Sequence, residues 1–151
     1  MNAPRTSPTL ERLAQPSASD RAAILSLESA SFSNPWTAET FDRMLEAPAA
    51  QVFVARDGAR IVAFCACYVF EDELVINTVA VEGPSRRHGI ARSLLRYVLA
   101  QTGARRASLE VRRSNLAALN LYAGLGFQVT AVRARYYDKP EEDGLVLWLN
   151  P

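Results

Sequence analysis

A chain of 151 residues and 16.6 kDa fits one domain and leaves little room for a second. With 49% hydrophobic and 22% charged residues it is not a disordered chain, and no apolar run approaches the ~20 residues of a spanning helix. Its net charge of +1, from 17 basic and 16 acidic residues, supplies no global field that would draw in nucleic acid or an anionic membrane, so neither is expected as a partner.

The N-terminal stretch MNAPRTSPT has no apolar h-region and does not read as a secretory signal. A loose tail over residues 1–8, a single domain over 9–151 and a cytoplasmic location are expected. Leu10 to Ala14 can form a short first strand. Ser19 or Asp20 then caps a helix carrying Ile24, Leu27, Ala30 and Ser31-Phe32 at helical spacing, which stops at Ser33-Asn34-Pro35. Thr37 starts a second helix with Phe41, Met44 and Leu45 on one face, and Pro48 prevents its continuation. Gln51 to Ala55 and Arg60 to Phe70 are strands joined across Asp57-Gly58, a strong hairpin signal. Leu74 to Val81 is nearly continuously apolar, as for a strand covered on both faces.

Beyond Glu82 to His88 the order becomes strand, helix, strand. Gly89 to Thr102 places Ile90, Leu94, Leu95, Val98 and Leu99 on one face and ends at Gly103, where a left-handed residue is wanted. Ala107 to Arg112 is a strand, Ser114 or Asn115 caps a helix to Leu125, and Phe127 to Arg135 and Leu145 to Leu149 are the last strands. The fold class is α+β: a mixed, mostly antiparallel central sheet with helices on both faces and one βαβ crossover in its middle. Cys65 and Cys67 share one strand face, and with no second Cys pair or His cluster they read as reduced, buried thiols rather than metal ligands.

Two constellations carry chemistry. Arg86-Arg87-His88-Gly89-Ile90-Ala91 lies between a buried strand and an amphipathic helix, where the unsatisfied N–H groups of a helix start can cradle a phosphate. The alternative is a basic helix start with a packing glycine. It is not a P-loop, since no Gly-Lys-Ser/Thr follows, nor a dinucleotide fingerprint. The second runs from Leu109 to Asn115, with Tyr122 further on. Alternation puts Ala107, Leu109 and Val111 on one face and Ser108, Glu110 and Arg112 on the other. Glu110 is either an arginine's ion-pair partner or a base whose pKa burial raises, and Tyr122, flanked by Leu121 and Leu125, is either core or a proton donor.

Together, a buried strand, R-x-x-G-x-A, a helix and LEVRRSNLAALNLYAGLGF resemble the acetyl-CoA-dependent GNAT N-acetyltransferase superfamily, over about Leu10 to Leu149. Phe32-Ser33-Asn34-Pro35-Trp36-Thr37, Asn77 before Val79-Ala80-Val81, and Arg135-Tyr136-Tyr137 are similar to its RimI group, whose members acetylate the N-terminal alanine of a small-subunit ribosomal protein. The resemblance implies an acyltransferase with acetyl-CoA as co-substrate and no metal, acting on the α-amino group of a protein without a covalent enzyme intermediate. It implies that the backbone of Val79, Ala80 and Val81 pairs with the pantetheine arm. The loop of Arg86, Arg87, His88, Gly89, Ile90, Ala91 and Arg92 would take the pyrophosphate, and Asn115 would also contact acetyl-CoA. Glu110 becomes the general base, Tyr122 the general acid, and Trp36, Asn77 and Tyr137 line the acceptor groove. The acidic run Asp138, Glu141, Glu142 and Asp143 could line a groove for a basic peptide or be a solvated loop. A GNAT enzyme acting on a small amine or internal lysine, and a non-catalytic acyl-CoA-binding module, are the competing readings.

Overall fold

The computed structural model describes residues 7–86 and 88–150, so Arg87 and residues 1–6 of the expected tail lie outside the described residues. Strand β1 (Thr9–Leu13) leads to helix α1 (Ala18–Ser31). The helix begins earlier than expected: Ser17, not Ser19 or Asp20, is its N-cap, accepting the Asp20 N–H on its hydroxyl. Thr37 caps α2 (Ala38–Leu45) as its sequence predicts. The hairpin of β2 (Ala50–Asp57) and β3 (Arg60–Phe70) turns at Gly58, with φ +64°, and β4 (Glu73–Val81) returns beside β3. The crossover helix α3 (Ile90–Thr102) ends at left-handed Gly103 and delivers the chain to β5 (Arg106–Arg112). Asn115 caps α4 (Leu116–Gly124), and a long hairpin of β6 (Gln128–Tyr137) and β7 (Glu142–Leu149) completes the sheet. This last hairpin reaches further than the apolar pattern suggests, because its tip is held by ion pairs rather than by packing.

The seven strands lie in the order β1-β2-β3-β4-β5-β7-β6, and β4 with β5 is the parallel pair. Helices α3 and α4 cover one face through Leu94, Leu95, Val98 and Tyr122, packed on Phe53, Leu74, Leu109 and Leu147. Helices α1 and α2 cover the other through Ile24, Leu27, Phe41 and Met44, packed on Val52, Val54 and Phe64. Fully burying each of these large side chains contributes roughly 1.5–3 kcal/mol, enough to fix both layers without a crosslink. Cys65 and Cys67 are free and fully buried inside the α3 layer, as their spacing suggests. The core beneath α1 and α2 draws its strand residues from β2, β3 and β4. On that side β5 and β7 present Glu110, Val146 and Trp148 to an open cavity.

Candidate active site

The site originates in one extra residue. Along the β3–β4 ladder Ala66 pairs with Thr78 and Cys67 with Ile76, which leaves Asn77 bulged out of register. A bulge bends and twists its strand. Accordingly β4 holds the parallel ladder with β5 only from Glu73 to Ile76, opposite Arg106 to Leu109. Beyond that point Asn77–Val81 and Glu110–Arg112 diverge, each paired only on its outer side. Backbone groups facing the fork have no ladder partner, which suits an extended ligand that supplies one. A cavity of about 230 Å³ fills the fork, bordered by Thr78 and Val79 on one strand, Glu110 and Val111 on the other, and Asn115 and Tyr122 beneath.

Tyr122 and Glu110 approach the fork from different layers. Tyr122 is buried among the α3-side residues, its ring edge-on to Phe127 at 5.5 Å between centroids. Burial above all, with smaller contributions from Cys65 and Tyr137, raises its pKa well above the usual tyrosine value. The phenol therefore stays protonated and able to donate. Glu110 projects from the opposite face of β5 and borders both the fork and the open cavity beyond it. Its carboxylate is exposed and paired with Arg133 on β6, Nη1 to Oε1 at 2.7 Å. The arginine partner is thus the observed state, and burial of this carboxyl is not. The Arg133 guanidinium also lies over the Tyr136 ring at 4.2 Å, while Arg112 lies over Tyr137 at 4.6 Å. Tyr137 is half-buried against the fork, and burial followed by the Glu110 charge pushes its pKa up to about 12.

The loop expected to cradle an anion leads into the start of α3. Gly89 precedes α3 in the left-handed region, φ +74°, and a Cβ built there would meet nothing within 4 Å. The first-turn N–H groups of Ile90, Ala91 and Arg92 have no partner inside the helix. The side chains nearby are otherwise engaged. Ile90 packs into the core, Arg92 donates to the Gly124 carbonyl at 3.0 Å, and Arg86 folds back onto the Val81 carbonyl at 3.0 Å. The first-turn N–H groups are the donors that the described residues leave toward this end of α3. His88 is exposed and borders a separate cavity with Asp57 and Glu82. Asn115 spends its Oδ1 on the Ala118 N–H at 3.2 Å while bordering the fork. The side chain of Ala80 points into the α1 layer and its backbone faces Phe64 on β3, so the backbone groups turned toward the fork are those of Val79 and Val81.

Trp36 forms the common wall of three cavities: the fork, the open cavity with Asn77, Tyr137 and Trp148, and a shallower one beside Tyr68 and Arg43. It stacks on Phe41 at 6.4 Å. The elbow carrying Trp36 meets the β6–β7 loop, since Asn34 donates to the Asp138 carbonyl at 2.8 Å and Arg112 reaches both Ser33 at 3.2 Å and Asp138 at 2.6 Å. The acidic run is largely consumed by its own arginines. Glu142 accepts from Ser114 and pairs with Arg112, which holds its carboxyl below the usual range, Asp143 pairs with Arg113, and Glu141 with Arg135. Three of the four carboxylates thus already carry an arginine partner. Among the described residues no group of three metal-ligating side chains occurs and no helix is long and apolar enough to cross a membrane.

Several site residues were not legible beforehand. Glu28 is buried at 3% exposure on α1 and borders the fork. Its signal was its position four residues after Ile24, which puts a carboxylate on the stripe that should be apolar. Arg133, Tyr136 and Trp148 enter through the twist of the last hairpin, which strand alternation alone does not fix.

The bulge thus opens a fork between β4 and β5 that Glu110 and Tyr122 both border, and α3 begins at left-handed Gly89. Residues 21–127 match the model of the acetyltransferase (GNAT) family, and the chain belongs to that family as an acetyl-CoA-dependent acyltransferase. It is 31% identical over 140 residues to the Escherichia coli K12 protein named [ribosomal protein bS18]-alanine N-acetyltransferase, covering 86% of this chain and 90% of that one. It is 36% identical over 110 residues to the Mycobacterium tuberculosis N-alpha-acetyltransferase RimI, covering 69% and 68%. The crystal structure of the E. coli ribosomal-protein-S18-alanine N-acetyltransferase superposes with a TM-score of 0.85 at 28% identity, over 94% of this chain and 92% of that one.

Proposed function

We propose that this protein transfers acetyl from acetyl-CoA to the α-amino group of a protein N-terminus in the cytoplasm, the acceptor being the N-terminal alanine of ribosomal protein bS18. The relatives' names support the acceptor, and the observation that carries the chemistry is the placing of Glu110 and Tyr122 at one fork from opposite layers. The edge groups of Val79 and Val81 offer the pantetheine arm the ladder that β5 no longer provides, and the start of α3 offers N–H groups to the pyrophosphate. The acceptor comes in over the open face past Trp36, Asn77 and Tyr137.

An α-amine with pKa ~7.7–8.0 costs only about 1 kcal/mol to deprotonate at pH 7, against roughly 4.6 for a lysine. A chain end is the easier nucleophile. Glu110 takes its proton, directly or through one water, as the amine attacks the thioester carbon. The tetrahedral species collapses by breaking the C–S bond, and the departing sulfur receives a hydrogen bond or proton from Tyr122. No enzyme group becomes acylated. A binding module would need the fork and the cradle but neither of these two side chains.

The test pairs two basic peptides of otherwise identical sequence, one with a free N-terminal Ala and one blocked but carrying Lys, incubated with acetyl-CoA and read by mass. Acetylation of the first is expected. Glu110→Gln should slow it most at low pH and recover partly as rising pH deprotonates the amine in solution. Preference for the blocked peptide would move the acceptor to lysine.

A further inference from the structure

Glu28 is the one buried carboxylate among the described residues, and it takes no part in the chemistry above. No described cation pairs with it. Its Oε2 accepts the backbone N–H of Trp36 at 3.1 Å and its Oε1 the hydroxyl of buried Thr78 at 2.9 Å, while its own carbonyl accepts the Phe32 N–H at 3.2 Å. Both ends of the elbow from Phe32 to Trp36 thus close on a single residue. Burying a carboxylate without a cation is costly, and at this position, beside Ile24 and Leu27, an apolar side chain would serve packing alone better. The two partners stand at chosen places: Thr78 directly follows the Asn77 bulge, and Trp36 walls the fork and the open face.

We propose that Glu28 is a positioning residue for the acceptor: it clamps Trp36 to β4 next to the bulge and so sets the width of the passage through which the amine reaches the fork. This rests on the N-terminal acetylation reading. The clamp lies on the acceptor's path and not at the start of α3, so the two substrates respond differently when it is removed. Burial raises the Glu28 pKa, and Gln preserves the geometry, since its oxygen can accept from Trp36 and its NH2 can donate to Thr78 Oγ1.

The experiment compares wild type, Glu28→Ala, Glu28→Gln and Thr78→Val, each shown folded by its melting curve, with acetyl-CoA and the peptide bearing a free N-terminal Ala. Glu28→Ala should raise the peptide KM about tenfold or more, the effect of losing a charge-assisted hydrogen bond, with the acetyl-CoA KM near wild type. Thr78→Val should give a smaller rise, and Glu28→Gln should restore the wild-type value. Independently of any turnover, tryptophan emission should be quenched more readily by acrylamide in Glu28→Ala than in Glu28→Gln. Wild-type failure to acetylate the peptide would remove the acceptor reading and leave the quenching result to decide the clamp. Unchanged peptide KM and quenching in folded Glu28→Ala, or a Glu28→Gln variant as impaired as Glu28→Ala, would overturn it.

Discussion

Arg133 and Glu110 face one another from β6 and β5, across the strand β7 that separates them, with a guanidinium nitrogen 2.7 Å from a carboxylate oxygen. The proposed base is thus already facing a cation before any ammonium arrives, and the two cations compete for one carboxylate. Both side chains are part-exposed, so solvent screens the pair and it contributes little to stability. Arg133→Met should leave the melting temperature almost unchanged and lower the KM for the Ala-starting peptide severalfold by removing that competitor. Steady-state kinetics at low salt reads this directly. An unmoved peptide KM would mean that Arg133 does not contend with the acceptor.

Tyr122→Phe separates catalysis from packing. No described residue hydrogen-bonds the Tyr122 hydroxyl, so its loss should cost little stability while the ring keeps its contact with Phe127. Turnover should fall by on the order of 10²-fold, the low end of general acid catalysis. Calorimetry and turnover on one preparation measure both. A drop in melting temperature with unchanged turnover per folded molecule would return Tyr122 to the core.

Gly89→Ala probes the cradle. A non-glycine residue in the left-handed region costs roughly 1–2 kcal/mol, a Tm loss of about 2–8 °C for a chain of this size. The added methyl meets no atom of the described residues within 4 Å, so no steric clash within them adds to that backbone cost. Acetyl-CoA at ~100 times its dissociation constant should stabilise the wild type by about 2.7 kcal/mol, free pantetheine far less, and the variant should lose most of that difference. Equal thermal shifts from the two ligands in the wild type would show that the start of α3 does not hold phosphate.

Tyr137 gives an alkaline signature. Its folded-state pKa of about 12 lies above the ~10 of an unfolded tyrosine, so the folded protein favours the neutral phenol. The associated stability is intact below pH ~10 and is lost as pH rises through about 12. Phenolate absorbance of the folded protein should show a late step that Tyr137→Phe removes. Superimposable titration curves for the two proteins would contradict the buried placement beside Glu110.

Periodicity and turn chemistry made most of the fold readable, because the apolar face of α3 and the Asp57-Gly58 turn are local signals. Ser17 escaped since Ser19 and Asp20 offer equally good caps, and only the direction of the incoming chain selects among them. Of the site, Glu110 and Tyr122 stood out as polar groups in apolar company. The environment of Glu110 did not, because Arg133 is 23 residues away and meets it only through the order β5-β7-β6. Asn77 was readable as an oddity in an apolar strand, yet its work as a bulge is a property of the β3 register and not of its own side chain.

The fork also makes the sheet mechanically uneven. Strands β1 to β4 form one panel and β5, β7 and β6 another, and their direct seam runs only from Glu73 to Ile76. On the α1 face the elbow further ties the two panels, Ser33 accepting from Arg112 and Asn34 donating to the Asp138 carbonyl. A molecule laid along Val79 and Val81 lengthens that seam and stiffens the joint. Bound as we propose, the cofactor arm would be a removable eighth strand, and the protein would resist shear between its halves best while holding it.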